Sequence, residues 1–182
     1  MIPFQVWLEA ALRSFRDVAA MMQMDWSWPI VESIHFTGLT LLFGCIAAWD
    51  LRLLGVARHV PIAAFHRLIK FANLGFAINV TSGTFFLMTD PDQYVYNPAF
   101  HLKMLCVMLA GANVALFYAG TFRGLKFLGP GAQAPVAARL AGGVSLVLWM
   151  TVIVCGRMIT FYRPTGCRPG EAVGFLAECI VR

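Results

Sequence analysis

Apolar residues run almost unbroken through four stretches, residues 29–49, 68–88, 98–118 and 140–159, and short polar connections separate them. Each stretch approaches the roughly 20 residues that a helix needs to cross the hydrocarbon of a bilayer. Ahead of the first stretch the pattern changes. Phe4, Trp7, Leu8, Ala11, Leu12, Phe15, Val18, Ala19 and Met22 recur at three- and four-residue steps, with Gln5, Glu9, Arg13, Arg16 and Asp17 between them. This predicts an amphipathic helix over 4–24 that lies along the membrane surface or against the end of the bundle. Glu9 and Asp17, and the lack of a basic start, are foreign to a secretory signal peptide.

Composition agrees with the pattern. The 182 residues are 59% hydrophobic and 13% charged, against roughly half and a quarter in soluble domains. The expected fold is an all-α integral membrane protein, a single up-down four-transmembrane-helix bundle with an N-terminal surface helix and a tail at 160–182. The net charge of +5 sits mostly in loops and speaks to orientation, since no basic run is interleaved with aromatics as a nucleic-acid surface requires. Arg52, Arg58, Arg67 and Lys70 occupy the first connection, and Arg123, Lys126 and Arg139 the third. The second connection, TDPDQYVYNPAF, has neither Lys nor Arg. The expectation is a bacterial inner-membrane protein with both termini in the periplasm, although Arg163, Arg168 and Arg182 in the tail run against it. In that compartment Cys167 and Cys179 could pair as a disulfide or remain free thiols, whereas Cys45, Cys106 and Cys155 fall inside spans as small buried residues.

Polar residues inside the spans locate the candidate chemistry. Ala72, Gly75, Asn79 and Gly83 form a small and polar stripe suited to close helix contact, and Asn113 suits an interhelical hydrogen bond. Ionisable groups at bilayer depth are costly and turn inward. Glu32 and His35 in the first span, His101 and Lys103 in the third and Arg157 in the fourth are all expected in the outer half, with Asp50 and Arg52 at the opposite interface. His35 and His101, on diagonal helices, would then face each other as axial ligands of a b-type haem. Lys103 and Arg157 would neutralise its propionates, Glu32 would orient an imidazole or carry a proton, and electrons would pass to a quinone. The alternative is a cofactor-free network of Glu32, His35, Lys103 and Arg157 in a membrane anchor or accessory subunit, partnered by another membrane or periplasmic subunit or by a second copy. Copper is a minor alternative, because Met21, Met22 and Met24 in MMQMDW offer thioethers. E-x-x-H at Glu32 and His35 is half of a di-iron signature, without its second half. No P-loop, G-x-S-x-G or H-E-x-x-H is present, and four spans without broken helices make a poor stand-alone transporter.

The segments WPIVESIHFTG, DLRLLG, NPAFHLK, GAN and GRMITFY, spread from Trp28 to Tyr162, resemble a family of small bacterial inner-membrane proteins. That family is a domain of unknown function, broadly similar to cytochrome b561-like and copper-resistance-D-like membrane proteins. The resemblance implies a four-helix membrane fold. It places Glu32, His35, Asp50, Arg52, Lys103, Asn113 and Arg157 on recurrent positions and leaves His101 outside them.

Overall fold

The computed structural model describes residues 4–125, 128–129 and 131–161. The tail from 162, with Cys167 and Cys179, lies outside the described residues. Four helices long and apolar enough to cross a membrane make up the bundle: α3 (Ser27–Leu54), α4 and α5 together (Ile62–His66 and Ile69–Thr89), α7 (Pro98–Leu116) with its extension to Thr121, and α9 (Val136–Met158). They are the four expected from the apolar stretches, but α3 runs five residues beyond the apolar limit at Trp49 and carries Asp50 and Arg52 as helical residues. The chain is a multi-pass membrane protein with an all-α bundle fold.

Helix ends follow local chemistry. Gly55, at φ 107°, takes the left-handed conformation that closes α3, its N–H bonding the Leu51 and Arg52 carbonyls. Asn97 caps α7 by accepting from the Ala99 N–H at 3.0 Å, ahead of Pro98 in the first turn. The same side chain is fully buried and donates through Nδ2 to the Ile159 carbonyl. One residue therefore starts α7 and fastens it to the end of α9.

The main contacts of α3 are with α5 and α9, and α7 packs on α9. The α3–α5 crossing is the tightest. A Cβ on Gly75 would lie 2.5 Å from the Leu42 nitrogen and 2.7 Å from the Gly38 carbonyl oxygen, and a Cβ on Gly38 would strike Ile78. Small residues permit such approach where lipid offers no hydrophobic drive between helices. On the outside Phe36, Leu74, Met108, Leu116, Leu140 and Val147 are exposed, as lipid-facing residues should be. Ser33, Thr37, Thr40, Thr81, Thr84 and Thr151 return their hydroxyls to carbonyls four residues back, so none faces lipid unpaired.

At the end of the bundle where α3 begins, the expected surface helix is two helices, α1 (Phe4–Leu12) and α2 (Arg16–Met22). Ser14 donates to the Ala11 carbonyl at 2.6 Å where α1 stops. Arg13 binds Glu9 at 2.8 Å and both carboxylate oxygens of Asp92 at 2.6 and 2.7 Å. Asp92 lies in α6 (Pro91–Val95), against which α1 packs, while α2 packs on α5. Tyr96 donates to the second Glu9 oxygen, and its own ionisation is pushed up to about 12 by desolvation and by that carboxylate. The break thus lets each short helix follow a different part of the rim.

Two outcomes follow from these contacts. Gly75→Ala should destabilise the bundle by about 1–3 kcal/mol through overpacking, read as thermal unfolding in nonionic micelles. Gly44→Ala, which meets nothing within 4 Å, should be neutral; equal effects would refute the close crossing. Separately, Arg13 holds the Glu9 carboxyl below its ordinary value, so this contribution is full above pH 4.5 and fades as pH falls through the lowered value. Burial raises Asp92, which protonates earlier. Hydrogen-exchange protection across α1, corrected for the intrinsic pH dependence of amide exchange, should therefore fall at acid pH, and Arg13→Ala should bring the lower protection to neutral pH.

Candidate functional site

Among the described residues no hydrogen bond or ion pair joins the rim residues singled out by sequence. His35, on α3, turns toward α5: its Nδ1 is 2.8 Å from the Ser82 hydroxyl and its ring meets Phe86 edge-on at 5.6 Å. His101 turns back on the chain, with Nε2 2.8 Å from the Val95 carbonyl, and its side chain is exposed. The two imidazoles therefore serve different contacts in this structure.

Glu32 and Arg157 are exposed as well, Arg157 lying over the Phe161 ring at 5.4 Å. Lys103 is half-buried, its Nζ beside Gly156, within electrostatic range of His35. Among the described residues the ion pairs are those of Arg13 with Glu9 and Asp92, so Glu32, Lys103 and Arg157 do not form the expected network. Glu32 and Arg157 are presented to the surroundings, whereas Lys103 turns toward α9. The methionines divide too: Met22 is buried against the bundle while Met21 and Met24 are exposed. No group of three or more His, Cys, Asp or Glu among the described residues could hold a metal ion.

The opposite half of the bundle buries two charged residues. Asp50 and Arg52, expected at the interface, are 3% and 1% exposed. Arg52 turns into the connection after α3, donating through Nε to the Val60 carbonyl at 2.9 Å and through Nη2 to that of Arg58 at 3.2 Å. Asp50 lines a cavity of about 260 Å³ that lies among all four spans, along the seam where α5 and α7 diverge. The Ser145 hydroxyl interacts with its carboxyl from α9, and Oδ2 has no hydrogen-bond partner. Asn73 from α5 and Asn113 from α7 add polar edges, the latter donating from Nδ2 to the Ala141 carbonyl at 3.0 Å, which is the interhelical bond its position suggested. Trp49, Phe76, Phe117, Tyr118 and Trp149 supply aromatic walls.

One local irregularity shapes this wall. After Leu116 the helix widens into a π turn over Phe117–Thr121 before α8 (Phe122–Leu125). Such turns are rare and recur at functional sites. Phe117 and Tyr118, both inside the turn, line the cavity, and the Tyr118 hydroxyl is 3.0 Å from Nε2 of His66. His66 stacks on Phe122 at 4.7 Å and meets Trp49 edge-on. The half of the bundle without an opposed histidine thus holds an organised aromatic and polar lining. The visible signals were an acid directly after an apolar stretch and polar residues spaced along three other spans. Their convergence depends on how far α3 continues as a helix.

Comparison with family models, curated proteins and solved structures finds no match to this chain.

The rim geometry carries an optical consequence. A reduced-minus-oxidised spectrum of protein from haem-supplemented cells should show no b-type band that depends on both histidines. Bands lost in His35→Ala and also in His101→Ala would overturn this placement.

Proposed function

We propose that this protein is a small membrane-embedded binding protein whose ligand reaches the cavity sideways from the bilayer, between α5 and α7. The supporting observation is the partnerless Asp50 carboxylate oxygen inside an aromatic-lined space of about 260 Å³. Concave, mostly apolar spaces with a few convergent polar groups are the usual form of small-molecule sites. A buried polar atom without a partner is costly in hydrocarbon, and a ligand that bonds it removes that cost on binding.

In this reading Asp50 is the anchoring group, Ser145 and Asn73 fix orientation, and the five aromatic side chains select an apolar body. Arg52 and Asn113 position the walls. The Tyr118–His66 pair holds the π turn against the ligand side. If the basic connections lie in the cytoplasm of a bacterium, the cavity occupies the inner leaflet. A quinone-linked role would then be sited here and not at the rim with His35.

Native mass spectrometry of the protein released from mild nonionic detergent tests the proposal. Wild type extracted with native lipids should retain a small-molecule adduct. Val114→Trp, at a half-exposed position of the cavity wall, should strip it while leaving the protein monodisperse. An adduct retained equally by both proteins, or none on wild type, would refute the site.

A further inference from the structure

We infer that the cavity selects a monocationic amphiphile, an organic ammonium whose head lies on Asp50 and whose apolar part lies among the rings; this rests on the binding role proposed above. Charge balance carries the inference. Asp50 is 3% exposed, lines the cavity and has an oxygen without a hydrogen-bond partner. Among the described residues no Lys, Arg or His lines that space. The nearest cation in sequence, Arg52, bonds the Val60 and Arg58 carbonyls through Nε and Nη2, keeps Nη1 without a partner, and makes no ion pair with Asp50 among the described residues. The other groups facing the carboxyl are neutral: Ser145 from α9, Asn73 from α5, and Asn113 and Tyr118 from α7 with its π turn. The site therefore contains an acid and lacks a base.

The walls match the same ligand class. Aromatic faces attract ammonium groups, and more strongly where water is excluded. Trp49, Phe76, Phe117, Tyr118 and Trp149 surround the acid. An anionic ligand would meet Asp50 with like charge. A neutral carbonyl compound such as a quinone could accept only from a protonated Asp50 and would bring no counter-charge. An ammonium head supplies both the donor and the counter-charge that the protein leaves out.

Binding of three molecules with one octyl tail separates these cases: octylammonium, octanol and octanoate, titrated into the purified protein in maltoside micelles with partition into empty micelles subtracted. A decyl-substituted benzoquinone is the fourth probe. Wild type should bind the cation roughly tenfold or more tighter than the alcohol, with the carboxylate weakest. Asp50→Asn should remove that preference, and Asp50→Glu should keep it. Equal binding of cation and alcohol by wild type, or tighter binding of the quinone, would overturn the cation assignment and leave the cavity role standing. If no probe binds, or Val114→Trp changes none of the affinities, the cavity role fails as well. The wild-type series decides between these outcomes even if Asp50→Asn does not fold.

Discussion

A polar atom held in hydrocarbon must find its partner inside the protein, and most of this bundle obeys that constraint. Hydroxyls return to their own helices, Asn97 bonds across to Ile159, Asn113 bonds across to Ala141, and Arg52 spends most of its fork on the connection after α3. Two buried atoms do not comply among the described residues, Nη1 of Arg52 and Oδ2 of Asp50. The Asp50 oxygen is left over in a space that the helices fail to fill. The shape of the bundle around it makes that exception consequential.

That shape comes from unequal helix packing. Gly38 and Gly75 draw α3 and α5 together, and Gly142 lets α9 approach the backbone of α3 at Asp50. α7 joins through α9. Glycines are thus concentrated on the seams that close, while the α5–α7 seam is lined by Phe76, Val107, Val114 and Tyr118 and stays open. The π turn ends α7 against the same space. A cavity that opens toward lipid suits a ligand that already dissolves in the bilayer.

The rim shows how similar residues reach a different outcome. His35, His101, Glu32, Lys103 and Arg157 share a depth, but depth alone does not bring side chains together. His101 closes the corner before α7 through the Val95 carbonyl, and His35 bonds Ser82 on the helix packed closest to α3. Arg13, which periodicity alone treats as the polar side of a surface helix, instead joins two carboxylates and ties the N-terminal segment to the rim.

Four membrane-crossing helices, their order and approximate limits, the small-residue stripe on α5 and the bonding role of Asn113 were all legible in the sequence. Each depends on local hydropathy, residue size or a single side chain's valence, and these act within one helix or one seam. The tertiary structure alone decided which polar residues meet. Asp50 passed for an interfacial residue because the apolar run stops at Trp49, yet α3 continues to Leu54 and buries it. The convergence of Asp50, Asn73 and Ser145 depends on helix rotation and on the open seam between α5 and α7. Neither is encoded in the spacing along any one segment, because both result from which pairs of helices can approach most closely.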